Sequence, residues 1–261
     1  MALQPFRPPP EPSPARAPQD ARRILGLRGR HWVWVALAVA VGYLVLSVVS
    51  VTGAVRILTR DPTAAELRRA ADAEVARRWR AWPAGRIFPE RLTYLPGTEE
   101  VEYATRAGIA PETDCAGSVD AATATVLQRH GCRAVLRATY ADQLEGVVVT
   151  VGVVVFPDQQ AAYQARQEIP GSPTALRAAA FPGTVAARFD DAARQSGTAE
   201  RGGPYLVLTT AGQSDGRPAT AVAGKQRPDD LFGLVPQLGH TIAQTLSTRA
   251  LPDCTSADWQ C

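Results

Sequence analysis

The stretch Gly212-Gln213-Ser214-Asp215-Gly216 matches the G-x-S-x-G pattern of a nucleophile elbow, and Asp230 and His240 follow in the chain order of a Ser-Asp-His triad. Such a set would carry out acyl transfer, with the imidazole taking the serine proton as the hydroxyl attacks a carbonyl. The surroundings argue against it. An elbow requires a strand-to-helix turn, whereas Arg217 and Pro218 lead into RPATAVAG, an alternating run that predicts a second strand and makes GQSDG a hairpin loop. Asp230 and His240 lie ten residues apart on one predicted helix, which separates them by roughly 15 Å along its axis unless Pro236 breaks it. An envelope serine hydrolase using Ser214, with His240 as base, is therefore kept as an alternative only.

The remaining chemistry-bearing residues are few. Of the three histidines, His31 borders an apolar run and His130 precedes Gly131, where a cation at a helix C-terminus is favourable. H-E-x-x-H, C-x-x-C and EF-hand patterns are absent. AVAGKQ around Lys225 lacks both the first glycine and the hydroxyl residue of a phosphate-binding loop. These absences assign no catalytic, cofactor-binding or metal-binding residue, and the expectation is a protein that is not an enzyme.

Four cysteines remain, Cys115, Cys132, Cys254 and Cys261. Whether they are ligands, reactive thiols or staples depends on the compartment. The first thirty residues carry six arginines against Glu11 and Asp20, a net +4 within a total of +3, so the rest of the chain sums to −1. A near-neutral remainder lacks the basic footprint of a nucleic-acid binder. From His31 to Val55 no Asp, Glu, Lys or Arg occurs. That run is long enough to cross a bilayer and too long for the apolar region of a cleaved signal peptide. Trp32 and Trp34 stand at its start, at headgroup level.

Positive charge is retained on the cytoplasmic side. The expectation is a Pro/Arg-rich, disordered cytoplasmic tail (1–30), one transmembrane helix (31–55) embedded in the lipid bilayer of the cell membrane, and an extracytoplasmic domain (56–261). Outside the membrane an even cysteine count favours disulfides. The local pairing, Cys115 with Cys132 and Cys254 with Cys261, is preferred. A straight helix over 119–130 would be about 18 Å long, and a disulfide needs its Cα atoms within about 7 Å. Residues 116–118 must therefore fold back along that helix.

The outer part reads as α+β. Asp61 and Pro62 predict the start of a helix whose apolar face is Leu67, Ala71, Val75, Trp79 and Trp82. RIFPERLTYLPG and VEYATRAGIAP predict short strands, and Ser118 is placed as the cap of a helix ending at Gly131. CRAVLRATYA and GVVVTVGVVVF predict two strands, the second central, followed by a helix opened by Pro157 and Asp158. PYLVLTTAG and RPATAVAG, followed by a helix opened by Pro228 and Asp229, read as a second ββα unit. The distance from Val135 to Pro157 is 22 residues and from Val207 to Pro228 is 21. The expected architecture is an antiparallel sheet with helices packed on one face, built from two ββα units as a pseudo-repeat.

RAGIAPETDC, LQRHGCRAVLRATYAD and VTVGVVVFPD resemble stretches of uncharacterised actinobacterial membrane-anchored proteins with a basic tail, one anchor and one outer α+β domain, most clearly from Arg106 to Phe156. The two-disulfide α+β plan is also similar, more distantly, to extracytoplasmic sensor domains of actinobacterial serine/threonine kinases. No functional residue transfers from either resemblance. They imply only a binding or sensing module. With the anchor, the paired cysteines and no plausible catalytic set, the expectation is a binding or sensor-like module without catalytic activity that binds an envelope protein or ligand on the sheet face not covered by helices. A structural accessory subunit of a membrane complex, using Trp32, Trp34 or the Leu67 to Trp82 stripe, is the other alternative.

Overall fold

The computed structural model describes residues 29–96, 100–169, 172, 175–222 and 232–250. Two compact units divide at Pro62 and Thr63. The first contains helix α1 (Gly29–Thr59). Its stretch His31–Ile57 has a mean hydropathy of 2.3 and is long and apolar enough to cross a membrane. At 1.5 Å per residue it measures about 40 Å against a hydrocarbon core of about 30 Å. The basic tail over 1–28 and the pair Cys254 and Cys261 lie outside the described residues.

The second unit opens with α2 (Ala64–Ala81). Its N-cap is Thr63, not Asp61. The Thr63 hydroxyl accepts from Glu66 N at 3.3 Å, and the Glu66 carboxylate accepts from Thr63 N at 2.8 Å. This reciprocal box satisfies two of the helix's orphan donors, which an Asp61 cap with Ala64 in the third helical position could not do. Next come α3 (Ala84–Ile87), β1 (Arg91–Tyr94), β2 (Glu102–Ile109) and α4 (Ala121–Arg129), then β3 (Ala134–Ala141), β4 (Val147–Val155) and α5 (Gln159–Glu168). After a long covering segment come β5 (Ala199–Gly202), β6 (Tyr205–Gln213), α6 (Ala219–Val222) and α7 (Leu234–Ser247).

All six strands form one antiparallel sheet in the order β1-β2-β3-β4-β6-β5. Every residue of β4 is buried, as its unbroken β-branched run requires. Val149, Val151 and Val153 turn to one face with Tyr205 and Val207, where Val75 and Trp82 of the α2 region and Val235, Leu238, Ile242 and Leu246 of α7 cover them. Val154, Leu206 and Leu208 turn to the other face, under Leu127 of α4 and Ala162 and Ala165 of α5.

Helices thus lie on both faces, which corrects the expectation of one. The central strands are apolar on both sides, so neither face can be left to water. The same second face is extended by residues 175–196. Leu176 closes on Gly152 and Phe189 on Gly212, each near enough that a Cβ on the glycine would meet the ring or methyl at 2.9 Å or less.

The pseudo-repeat does not hold. Residues 219–222 are helical, since Pro218 has the fixed φ and missing N–H suited to a helix start and the alanine-rich run prefers that state. The hairpin partner of β6 is instead the preceding strand β5. Pro236 does not kink α7. It is the helix's third residue, where its N–H would have no intrahelical acceptor. Pro228, Asp229 and Asp230 lie outside the described residues.

Candidate functional site

The structure does not bring Ser214 and His240 together. Gly239 packs on Thr209 of β6, and a Cβ there would lie 3.1 Å from the threonine methyl. Ser214 is five residues further along, about 16 Å at strand spacing. His240 is exposed, and the Ser214 N–H donates to Gly146 O at 3.0 Å. GQSDG forms a turn between β6 and the four-residue α6, and its glycines have structural reasons of their own. A Cβ on Gly212 would approach Ala193 O to 2.1 Å, and Gly216 takes φ +76° to close the turn. Asp215 pairs with Arg217 at 2.5 Å, which holds its carboxyl below the usual range.

Cys115 and Cys132 are joined, with Cα atoms 6.4 Å apart. Their approach follows from strand pairing. Val135 N donates to Thr113 O at 3.0 Å, so the chain running out of β2 stays beside β3 up to the cysteine. Residues 116–119 then turn back along a helix shorter than expected. Gly131, at φ +73°, returns the chain from the C-terminus of α4. Ser118 is not the cap. It is fully buried with its hydroxyl unbonded, and Asp120 occupies the N-cap position. His130 meets Glu168 of α5 through Nε2 at 2.7 Å, and Arg129 bonds the other carboxylate oxygen. The contact with His130, and then the charge of Arg129, hold Glu168 below the usual carboxylate range.

Two groups of buried charge were not legible from hydrophobic spacing. In α2, Arg78 and Glu74 are 4% and 3% exposed and bonded at 2.6 Å. The same guanidinium donates to Thr245 O and Leu246 O, both at 3.0 Å, at the C-terminal end of α7. From the covering segment itself, Arg194 reaches Asp120 at 3.1 Å and Leu176 O at 2.9 Å. Arg137 lies close by, its pKa lowered by burial and opposed by Glu112 at 3.9 Å. These charges fasten one element to another.

Two clefts could receive a ligand. One, of about 700 Å³, lies between α2, the start of α5 and the β5–β6 turn. Its charged groups are engaged: Arg249 bonds Asp72 at 2.5 Å, Arg201 lies over Tyr163, and Asp158 caps α5 by accepting from Ala161 N at 2.8 Å.

The other cleft, of about 840 Å³, lies where the covering segment stops short of β1 and β2. Arg91, Thr105 and Ala141 stand in register across three strands, with Tyr103 two residues away along β2, opposite Thr93. Leu92, Tyr94 and Ala104 are buried on the opposite face, whereas Arg91, Thr93, Tyr103 and Thr105 are open. The β3–β4 turn forms one wall. Asp142 accepts from Val147 N at 2.8 Å and Gln143 accepts from Tyr103 N at 3.4 Å. Glu145 takes φ 56°, a left-handed conformation uncommon for its residue type. Among the described residues, the side chains of Arg91 and Glu145 and the amide N–H groups of Gln143 make no hydrogen bond. Unengaged polar groups around a half-exposed aromatic ring distinguish this cleft from the first.

An apolar single-pass helix joined to a disulfide-containing α+β domain defines a class of membrane-anchored module. Residues 49–169 match the family model of the PknH-like extracellular domain, and over that span, from the end of α1 to the end of α5, the chain is similar to that family. No curated protein and no solved structure matches the chain. The match includes β1, β2, β3 and β4, which carry the second cleft, and the likeness noted over residues 106–156 falls inside it.

Proposed function

We propose that this protein is a non-catalytic binding or sensor-like module. Its arginine-rich tail is cytoplasmic, α1 crosses the bilayer, and the α+β domain outside engages an envelope protein or ligand through the cleft on β1 and β2. The observation that carries the reading is the open end of an otherwise covered sheet. Both faces are sealed over β4 and β6, whereas at Arg91, Thr93, Tyr103 and Thr105 the sheet surface is left to solvent, with free polar groups around it. The match to an extracellular domain family supports the placement, and six arginines ahead of α1 support the orientation.

The test is photocrosslinking in native membranes with a benzophenone side chain at Val101, on the cleft, and at Tyr163, on α5. A specific adduct at Val101 that is absent at Tyr163 is expected, with the domain degraded by protease added to intact cells. Equal capture at both positions, or protection of the domain, would overturn the reading. So would labelling of Ser214 by a fluorophosphonate accompanied by ester turnover.

A further inference from the structure

We infer that the cleft on β1 and β2 takes an uncharged saccharide; this rests on the binding role proposed for the same surface. Its lining has the two features that a pyranose ring complements. One is an aromatic face: Tyr103 is 46% exposed in the cleft and can stack on the C–H face of a sugar. The other is a rim of planar polar side chains. Arg91 and the Gln143 amide offer donors, Glu145 and the second Asp142 oxygen offer acceptors, and the Thr105 hydroxyl offers both. A ring edge bearing alternating hydroxyls needs such a mixture.

The charge balance narrows the ligand class. Arg91 and Arg106, the latter engaged with Phe88 O, are balanced by Asp142 and Glu145, so the site lacks the cation excess that a phosphate, a nucleic acid or an anionic headgroup requires. An apolar peptide or acyl chain is disfavoured because the hydrophobic side chains at the cleft, Tyr103, Val101 and Val185, are interspersed with charged and polar groups. The rim is also pre-formed. Asp142 is held by Val147 N, Gln143 by Tyr103 N, and the turn is closed by Glu145 N donating to Asp142 O at 3.1 Å.

The full chain in nanodiscs would be titrated by calorimetry and ligand-observed NMR. The probes are three neutral trisaccharides (cellotriose, maltotriose and chitotriose), with trialanine and inorganic phosphate as comparisons. Each is carried to about 10 mM, where a Kd of about 1 mM is nine-tenths saturated. At least one trisaccharide is expected to bind, about tenfold or more weakly to Tyr103→Ala and to Gln143→Ala. Tyr163→Ala, an exposed tyrosine outside the cleft, should leave that affinity unchanged. All three side chains are open to solvent, so the variants keep the wild-type melt, which circular dichroism verifies. Trialanine or phosphate binding that is lost in Tyr103→Ala, with no trisaccharide bound, overturns the inference while leaving the cleft a binding site. Absence of all binding, or saccharide binding indifferent to Tyr103 and Gln143, also overturns it.

Discussion

Replacing Arg78 with methionine should be among the most damaging changes available in the domain. The substitution leaves the Glu74 carboxylate, 3% exposed, without its cation. It also strips Thr245 O and Leu246 O of the donor that holds each at 3.0 Å. Removing one member of a buried pair costs about 3–5 kcal/mol. For a domain of this size each kcal/mol lowers Tm by about 2–4 °C, so a fall of about 6–20 °C is expected. Glu74→Gln should cost less, because Arg78 keeps both carbonyl acceptors. The double variant Glu74→Leu/Arg78→Met should recover about 2 kcal/mol relative to the sum of its parts, as the stranded charge disappears. Urea denaturation followed by tryptophan fluorescence reads this directly, with Trp79 and Trp82 on the same helix region. Arg78→Met within about 1 kcal/mol of wild type, or strictly additive single variants, would refute the assignment of the pair as the fastening between α2 and α7.

Cys115→Ala/Cys132→Ala opens a loop closed over a separation of 17 residues. It should destabilise the domain by about 3 kcal/mol by chain-entropy reasoning, measured as a lower urea midpoint. Gly212→Ala should cost about 1–3 kcal/mol through collision of the new methyl with Ala193 O, whereas Ser214→Ala in the same motif should stay within about 0.5 kcal/mol, both by thermal melts. The Glu168 carboxyl should titrate below its ordinary value of 4.5 and move back toward it in His130→Ala, read by carboxyl NMR shifts. Because the folded value is depressed, the contact contributes to stability above the unfolded pKa and is lost as pH falls through the folded one.

How much was legible in the sequence depended on whether a feature is local. The β4 run, the Asp158 cap of α5 and the αL glycine at 131 announce themselves in a few residues, because strand burial, capping and left-handed turns are set by nearest neighbours. Glu74 and Arg78 were hidden by the apolar stripe of α2. A charged pair four residues apart reads as a solvated face unless its carbonyl partners 167 and 168 residues away are known. The covering segment has no periodicity to betray it. Its signal lay in the strands beneath, where Gly108, Gly152 and Gly212 interrupt otherwise bulky runs at the points where Phe181, Leu176 and Phe189 close in. The RPATAVAG run misled because alternation among alanines carries little β preference, and Pro218 served a helix start as readily as a strand boundary. The cleft was unreadable for a different reason: it exists where coverage stops, a property of the fold as a whole.

The position of β6 bears on how the protein is made. β4 pairs with β6 over nine register positions, from Val147 with Gln213 to Val155 with Tyr205, yet β6 begins about fifty residues after β4 ends. At about 5–20 residues per second of synthesis, the strand VVVTVGVVV emerges with one edge unpaired for roughly 3–10 s. During that interval it is an apolar β template of the kind that recruits other chains. Any fragment ending near residue 169 would keep it in that state permanently. Anything that shields this one strand until β6 arrives would therefore raise the yield of folded protein.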